Sequence, residues 1–541
     1  MNDNIKNDPK TIRMPIWLSL AVIFGLMIGI YVGRKTGNES ISGGQKGLID
    51  EAMRHISNEY VDTVNLAELQ QSGIEAMLEK LDPHSAYIPP KDLQVAQASL
   101  ESDFEGVGIE FQIFNDTVNV ITPISGGPSE SAGLHSGDKI VDVDGKPFAG
   151  TKITTNDVFG KLRGKKGTIV KLTIKRKGIK ALMNFTIVRD KIPTYSVDAS
   201  YIYAPQTGYI KVSRFGENTY PEFKQALDKL KSEGMERLVL DLRDNPGGYL
   251  DHAADIADEF LNENKLIVFT KGRKSQYSNN LNAERDGAFE KGNLIVLVDE
   301  GSASASEIVS GALQDHDRAL IVGRRTFGKG LVQMPIQLSD GSELRLTISR
   351  YYTPSGRCIQ KPYHGNKEDY ELEYLARFKN GEMYSKDSIH FADSLKFKTD
   401  KGRTVYAGGG IMPDVFVPQD TLAYSSYLSQ LLNKGVLREM ALELYTNNKA
   451  KIGTMTMADF SKSFQILDSD LAKMTKQAEA EGVKYNDKGF QRSKEYIRNY
   501  LKALIAKAQW KTDGFFYIFN QSDNVFVEAQ KHWVEADELV K

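Results

Sequence analysis

Three serines lie in a run of small residues that follows an apolar, strand-like stretch of the chain. The stretch LIVLV is followed by Asp299, and helical spacing begins near Ser306 or Glu307. Small residues at such a junction let a side chain project into a cleft, and the first N–H groups of the helix stay free to bind an anion. This arrangement suits a nucleophilic serine beside an oxyanion site. Capping of the helix by Ser302, Ser304 or Ser306 is the alternative, and the segment alone favours it.

A nucleophilic serine needs a base, and the chain offers histidines and lysines. Of the eight histidines, His252 and His316 are close in sequence to the conspicuous loops, but neither sits in a distinctive pattern. Lys329 does, because Gly328 and Gly330 flank it directly after an apolar stretch. Desolvation lowers the pKa of a lysine, so that it can serve as the base of a Ser–Lys pair. A solvated loop lysine is the alternative.

The same loop nearly matches a phosphate-binding motif. Gly323 to Gly330 reads G-R-R-T-F-G-K-G, whereas the motif G-x-x-x-x-G-K-[ST] ends on a hydroxyl residue. Gly330 supplies no hydroxyl for Mg²⁺, and Pro335 stands where the motif requires a helix. The pattern therefore argues against nucleotide binding. Since the sequence also contains no H-E-x-x-H or EF-hand pattern, we expect neither a cofactor nor a metal.

A second loop, DLRDNPGGYLDHA at residues 241–253, also joins a strand-like stretch to a helical one. Its paired glycines, Gly247 and Gly248, suit exposed backbone N–H groups that donate to an oxyanion. Asn-Pro-Gly-Gly is also simply a good turn, so the loop alone leaves both interpretations open.

The composition argues against nucleic-acid binding and against structures that depend on paired cysteines. The 541 residues carry a formal net charge of -2, so no basic excess exists to neutralise nucleic-acid phosphates. The single cysteine, Cys358, rules out an intrachain disulfide and a thiolate metal site. We therefore predict no nucleic-acid partner.

Several kinds of element must position these loops. Two amphipathic helical stretches lie within residues 45–98, and short β-type runs follow over residues 100–192. From residue 195 to 418 strands alternate with helical stretches, which predicts mainly parallel pairing with crossover helices. Residues 421–541 are mostly helical and charged.

An apolar stretch precedes these elements. Met14 to Val32 contains nineteen residues without a charge, enough for a helix that nearly matches a hydrocarbon core of about 30 Å. A cleaved signal peptide is the alternative, but no A-x-A-like site follows and the stretch exceeds a typical h-region. We predict an uncleaved membrane anchor over residues 1–36.

Six separated motifs resemble, in the same order, those of the carboxyl-terminal processing peptidases, also called tail-specific proteases. The motifs are LDPHSAY (81–87), DLRDNPGG (241–248), GSASASEI (301–308), TFGKGLVQ (326–333), YYTPSGRCIQ (351–360) and GGGIMPDV (408–415). The resemblance covers roughly residues 45–418. It implies a supporting role for Asp315, which matches an aspartate of the helix after the nucleophile.

The resemblance also implies a role for each residue of the catalytic site. Ser304, the middle serine of the run, would be the nucleophile, and Lys329 would be the base. Some members add a glutamine at the position of Gln333. The oxyanion would be bound by backbone N–H groups, those of Ala305 and of Gly247 or Gly248.

The β-rich stretch resembles a PDZ domain. Gly106, Val107, Gly108 and Ile109 resemble its carboxylate-binding loop, whose N–H groups capture the terminal carboxylate of a peptide while the peptide adds a strand. The pieces PSESAGL and GDKI follow in the order typical of that domain. A small β-barrel with glycine turns is the alternative.

Together these features predict an α/β protease core with an inserted β-rich PDZ domain, an N-terminal transmembrane helix and a mostly helical C-terminal extension. The expected domains are a membrane anchor (1–36), a helical N-terminal part of the protease (45–98), a PDZ domain (100–192), a Ser–Lys protease core (195–418) and a helical extension (421–541).

The resemblance implies a serine endopeptidase that recognises C-terminal tails of proteins and cleaves peptide bonds by acyl-enzyme chemistry. Its partners would be protein and peptide C-termini, and the membrane through the N-terminal helix. Because family members act mostly outside the cytoplasm, the expected location is the bacterial inner membrane, with a single-pass anchor and the catalytic part in the periplasm. A catalytically inactive PDZ scaffold is the alternative, and the presence of Ser304, Lys329 and Gln333 argues against it.

Overall fold

The structure is a computed structural model that describes residues 47–97, 101–114, 116–124, 126–176 and 178–541. The chain divides into two compact units, the first ending at Ala76 and the second spanning Met77–Lys541. The first described elements are helices α1 (Leu48–Glu59) and α2 (Leu66–Glu79). Strand β1 (Ala86–Ile88) and helix α3 (Pro90–Gln97) follow.

A β-rich module comes next. Its elements are β2 (Asp103–Gly106), β3 (Ile109–Ile113), β4 (Val118–Pro123), α4 (Pro128–Ala132), β5 (Lys139–Val143), β6 (Lys146–Pro147), α5 (Thr155–Leu162), β7 (Ile169–Lys175), β8 (Met183–Val188) and β9 (Asp190–Pro193). Five strands form an antiparallel sheet in the order β3-β4-β5-β7-β8, and β2 pairs with β9. Alternate residues of β7 are buried, as expected for a sheet with one face on a core. Strand β3 is the first in this order, so it lies at an edge of the sheet that no strand of the described residues covers.

The central sheet of the second unit is mainly parallel. Its elements, with the helices and strands between them, are β10 (Val197–Ala204), β11 (Thr207–Val212), α6 (Thr219–Ser232), β12 (Arg237–Asp241), α7 (Leu250–Asp258), β13 (Leu266–Gly272), β14 (Asn280–Asn282), β15 (Asn293–Val298), α8 (Ala305–Asp315) and β16 (Leu320–Gly323). Strands β11, β12, β15 and β16 pair in parallel, as the alternation of strands and helices predicted. Because helices cover this sheet, β12 and β15 read as continuous buried apolar runs.

A second sheet is antiparallel and takes its strands from several parts of the chain. It contains β17 (Leu331–Gln337) and β18 (Glu343–Tyr352), with β1, β13 and β14. Short elements follow: α9 (Lys367–Glu371), α10 (Glu373–Lys379), β19 (Lys396–Lys398), β20 (Thr404–Tyr406) and β21 (Val415–Phe416). Strand β21 returns to the central sheet and pairs in parallel with β16.

The C-terminal region is helical. Its helices are α11 (Ser426–Asn433), α12 (Val436–Ile452), α13 (Met457–Ser463), α14 (Asp468–Ala480), α15 (Asp487–Phe519), α16 (Asn524–Ala529) and α17 (Trp533–Val540). Phe526 of α16 packs edge-on against Tyr203 and Tyr209 of the central sheet, with ring centroids 4.7 and 5.6 Å away. The region is thereby joined to the central sheet, from which the loops with Gly247 and Ser304 extend. The domain limits expected from the sequence stay predictions.

The predicted fold class is wrong on one point, the transmembrane helix. In the part of the chain that the structure describes, no helix is long and apolar enough to cross a membrane. A span needs about 20 predominantly apolar residues. The longest described helix, Asp487–Phe519, carries charged residues along its length and is interrupted at Trp510 and Lys511. The stretch Met14 to Val32 lies outside the described residues. The predicted single-pass anchor, the membrane as a partner and the inner-membrane location are therefore not retained.

Candidate active site

Ser304 occupies a sharp turn between β15 and α8. It is the residue before the first turn of α8, and its φ of 55° and ψ of -112° are unusual for a residue with a side chain. Backbone strain of this kind persists only where the surroundings enforce it. Ser302 and Ser306 are fully buried and donate through Oγ to the carbonyls of Leu242 (2.8 Å) and Asn245 (2.9 Å). Of the three serines, only Ser304 is partly exposed.

Lys329 lies on the loop that joins β16 to β17. Gly328 before it has a φ of 89°, and a Cβ at Gly330 would lie 2.9 Å from the backbone N of Gln360, so neither glycine tolerates a side chain easily. Burial lowers the pKa of the Lys329 amine; the Glu307 carboxylate acts in the opposite direction, and Arg345 lowers the pKa further. A lysine whose pKa is lowered is neutral more often near pH 7, which a base requires.

Glu307 connects these two residues and was not predicted from the sequence. It is fully buried on α8. Its Oε2 accepts the backbone N–H of Ser304 (2.8 Å) and that of Lys329 (2.9 Å). Its Oε1 accepts Gly328 N–H (2.7 Å) and the hydroxyl of Thr326 (2.5 Å). The pattern S-x-x-E, a capping box at Ser304 and Glu307, is the sequence signal that could have revealed it.

Tyr351 connects the same two residues through their carbonyl groups. Its hydroxyl lies within hydrogen-bond distance of the carbonyl oxygens of Ser304 (3.1 Å) and Lys329. Burial raises the pKa of this phenol well above its ordinary value, so it stays a donor. The residue lies within the motif YYTPSGRCIQ, but its role could not be read from the motif because it depends on how β18 pairs.

Two backbone N–H groups beside Ser304 are candidates for an oxyanion site. A Cβ at Gly247 would lie 2.7 Å from Ser304 Cβ, so the glycine loop passes directly over the serine. Gly247 N–H donates to the side chain of Asn245 (2.9 Å). The N–H groups of Gly248 and Ala305 have no hydrogen-bond partner among the described residues. Ala305 is the first residue of α8, where the helix dipole favours a negative charge.

Comparison with known proteins places the chain in a family. The model of peptidase family S41 matches residues 206–372. The carboxy-terminal-processing protease of Bartonella bacilliformis is 38% identical over 329 residues, which cover 60% of this chain and 75% of that protein. The carboxy-terminal processing protease CtpB of Bacillus subtilis is 37% identical over 319 residues, covering 58% of this chain and 65% of that protein. The chain belongs to the carboxy-terminal processing proteases of peptidase family S41. It is therefore a serine-type peptidase.

Two other models match parts of this S41 peptidase. A PDZ model matches residues 106–187, and a family of unknown function matches residues 427–511. Among solved structures, a photosystem II D1 C-terminal processing protease is 27% identical and covers 69% of this chain and 92% of its own, with a TM-score of 0.36. The match to the PDZ model identifies the β-rich module as a PDZ domain.

Gln333 of this peptidase lies on β17, opposite Thr347 of β18. Its amide donates to Thr347 Oγ1 at 3.4 Å, a weak contact, and Thr347 Oγ1 donates to Asp82 (3.1 Å). Asp82 of the motif LDPHSAY is thereby linked to Gln333 through Thr347. Burial, followed by the charge of Lys329, lowers the pKa of His84 to about 4, so His84 is neutral near pH 7.

The two histidines considered as alternative bases make other contacts. The ring nitrogens of His316 contact Asp400 (2.8 Å) and the carbonyl oxygen of Leu266 (2.7 Å). His252 lies 3.6 Å from Asp255. Asp315, the predicted supporting residue, is buried and pairs with the buried Arg357 at 2.8 Å. Within the described ranges, no group of three or more His, Cys, Asp or Glu residues could hold a metal ion.

The predicted peptide-binding loop of the PDZ domain joins β2 to β3. The carbonyls of Val107 and Gly108 accept the N–H groups of Ser129 (3.0 Å) and Ile124 (3.0 Å), so these carbonyls point into the domain. Gly106 ends β2, and Ile109 begins the edge strand β3. Phe111 of β3 contacts Phe159 of α5, with ring centroids 5.8 Å apart, so this edge strand lies beside a helix. Strand addition by a peptide requires such an edge.

Proposed function

We propose that this S41 peptidase is a serine endopeptidase that uses Ser304 as nucleophile and Lys329 as general base. Neutral Lys329 takes the proton of Ser304 Oγ while that oxygen attacks the scissile carbonyl carbon. The N–H groups of Gly248 and Ala305 then hydrogen-bond to the oxyanion that forms. The Lys329 ammonium gives its proton to the leaving amine, and the amine departs from an acyl-enzyme.

The second half of the reaction uses the same groups. Lys329, again neutral, takes a proton from a water molecule that attacks the ester carbonyl. The tetrahedral adduct collapses, Ser304 Oγ regains a proton from the Lys329 ammonium, and a new carboxylate is released. Gln333 lies on β17, the strand that follows Lys329, and we propose that it helps to orient the Lys329 side chain.

One observation supports this assignment above the others. Glu307 Oε2 accepts the N–H groups of both Ser304 and Lys329, so a single buried carboxylate fixes the two residues relative to each other. A capping serine without a catalytic role would not require a link to a lysine on another loop. Burial lowers the pKa of that lysine, as a base needs.

We further propose that the substrates are C-terminal tails of proteins and peptides. The relatives carry names that describe carboxy-terminal processing, and in the PDZ domain the edge strand β3 directly follows the loop between β2 and β3. The loop Gly106 to Ile109 would take the terminal carboxylate, and the tail would pair with β3.

Hydrolysis by the Ser304→Ala and Lys329→Ala variants tests the assignment. Each should lose nearly all cleavage of a tail peptide, because nucleophile and base act as one unit. A fluorophosphonate should add one phosphonyl group to the parent protein and none to Ser304→Ala, as seen by intact mass. His316→Ala is the matched control and should retain activity. Cleavage by a folded Lys329→Ala variant, or its loss in His316→Ala, would refute the Ser–Lys pair.

A further inference from the structure

The backbone of the loop that carries Lys329 is hydrogen-bonded from two sides. On the side of the central sheet, Glu307 accepts the N–H groups of Gly328 and Lys329, and Ser302 accepts that of Phe327 (3.0 Å). These contacts hold the N–H groups of the loop. Its carbonyl groups need other partners.

Arg377 of α10 supplies those partners. Its Nη1 donates to the carbonyls of Thr326 (2.9 Å) and Arg325 (3.3 Å), and its Nη2 donates to that of Phe327 (3.1 Å). Three successive carbonyls directly before Gly328 and Lys329 thus converge on one guanidinium. A planar fork of donors can do this, whereas a lysine ammonium is a single point charge.

The buried Arg377 guanidinium is itself fixed by neighbouring charged groups. The side chain is 4% exposed, and its Nε donates to Glu373 at 2.7 Å. Arg325, on the loop, pairs with Glu382 at 2.5 and 2.8 Å. Lys361 adds a third cation: its amine lies 3.3 Å from Glu373 and 4.0 Å from the ring centre of Phe327. The segment around α10 therefore contacts the loop in two ways: Arg377 donates to backbone carbonyls of the loop, and Glu382 pairs with the side chain of Arg325.

This segment lies beyond residues 206–372, which the S41 model matches. We propose that Arg377 is a positioning residue for Lys329, and that α10 acts as a clamp on the catalytic lysine loop. The proposal rests on the proposed role of Lys329. Without the clamp, the carbonyls of Arg325, Thr326 and Phe327 would turn toward water, and the Lys329 amine would lose the position that the proposed function requires.

The test compares Arg377→Ala and Arg377→Lys with Lys379→Ala, which removes an exposed cation from the same helix. The full chain is used, and kcat, KM, the pH dependence of kcat/KM and the melting temperature are measured on one tail peptide. We expect Arg377→Ala to lower kcat about 10- to 100-fold, because small displacements of a catalytic group are that costly. KM and the kinetics of Lys379→Ala should stay within about twofold of the parent.

The pH profile separates positioning from a merely structural role. The charged or titratable groups that face Lys329 are Glu307 on α8, Arg345 on β18, and Asp82 and His84 before β1. None of them is changed, so a better solvated Lys329 should move the rising limb of kcat/KM to higher pH. Arg377→Lys keeps the positive charge but loses the planar set of guanidinium donors. Its rising limb of kcat/KM should therefore move to higher pH by a smaller amount.

Each outcome decides the matter. If either folded variant keeps kcat within about twofold of the parent, the proposal is overturned. A loss of activity with an unmoved pH limb, matched by an equal loss of folded protein, also overturns it. If Arg377→Ala does not fold, Arg377→Lys decides by the same criteria. A folded Lys329→Ala variant that cleaves the peptide would instead refute the proposed function, so the two failures are distinguishable.

Discussion

The backbone N–H groups of Ser304 and Lys329 donate to the same oxygen atom, Glu307 Oε2, at 2.8 and 2.9 Å. The two residues are twenty-five positions apart in sequence and lie on different loops. The hydroxyl of Tyr351 makes a second link, because it lies within hydrogen-bond distance of the backbone carbonyls of both residues. The relative position of Ser304 and Lys329 therefore depends on two buried side chains, those of Glu307 and Tyr351.

Replacing Glu307 by Gln should lower kcat about 100-fold with little change in KM. The glutamine side chain keeps one acceptor oxygen, but its NH2 group cannot accept hydrogen bonds, so the donors that now face one of the two carboxylate oxygens lose that acceptor, at about 1–3 kcal/mol for each group left unpaired. The variant should also melt at a lower temperature. Glu284→Gln, at an exposed glutamate, is the control. Wild-type kcat in Glu307→Gln would show that this carboxylate does not position the pair.

The pH dependence of kcat/KM should report Lys329. The base works when neutral, so the rate should rise with pH through the pKa of Lys329 in the free enzyme. Burial places that pKa below the ordinary 10.5. His84, with a pKa of about 4, is already neutral across the range from about pH 6 to 10 and adds no limb there. A flat profile over this range, with chemistry limiting the rate, would contradict a lysine base.

A substitution of Arg345 tests whether the rise of kcat/KM with pH reports Lys329. The positive charge of Arg345 lowers the pKa of Lys329, so Arg345→Gln should raise that pKa and shift the limb to higher pH. Arg350→Gln removes an exposed cation from the same strand and should leave the limb in place. A shift to lower pH, or equal shifts in both variants, would mean that the limb does not belong to Lys329.

Local sequence patterns indicated some residues of the candidate site and not others. The order of motifs led to Ser304 and Lys329, and S-x-x-E could have led to Glu307, because one helical turn places these groups together. The contacts that Tyr351 and Arg377 make with the site depend on strand pairing and on the packing of a later segment, which no local pattern encodes. The membrane anchor was predicted from hydropathy in a stretch outside the described residues, and no described helix could take that role.

Replacing Gly247 by Ala should disable the site without large changes elsewhere. Gly247 has a φ of 97°, and its Cβ would lie 2.7 Å from both Ala303 O and Ser304 Cβ, so the glycine loop or the serine must move. Displaced oxyanion donors typically cost about 100-fold or more in kcat. Gly73→Ala, at a helical position with open space around the new methyl group, is the control. Unchanged kcat in Gly247→Ala would argue against an oxyanion site here.

The C-terminal region should support the glycine loop through one ion pair. Asp523 accepts from Arg243 at 2.7 Å, and Arg243 directly precedes the loop that contains Gly247 and Gly248. Asp523→Asn keeps an oxygen that can accept Phe526 N–H but removes the charge. We expect a loss of about 1–3 kcal/mol in the free energy of unfolding and a lower kcat. Asp537→Asn, at an exposed pair with Lys541, is the control. Equal melting temperatures and rates in the two variants would exclude this support.

Capture of a terminal carboxylate by the PDZ domain can be measured on the full chain. The Ser304→Ala variant is used so that bound peptides stay intact, and one apolar tail peptide is compared as free acid and as amide. The amide lacks the negative charge and its strong hydrogen bonds to backbone N–H groups. We expect its Kd to be at least about tenfold higher, a loss of roughly 1.4 kcal/mol. Fluorescence anisotropy with N-terminally labelled peptides gives both constants.

A substitution in the loop distinguishes carboxylate capture from general adhesion of the peptide. Gly108 has a φ of 73°, and a Cβ there would lie 2.8 Å from Ile192 Cδ1, so Gly108→Val must displace the loop. Because the N–H groups would no longer converge on the carboxylate, this variant should bind acid and amide with nearly equal, weak affinity. Gly160→Ala, on α5 with free space around the new methyl group, should keep the difference between acid and amide. If the parent binds acid and amide equally well, the tail is held by its side chains and not by its terminus.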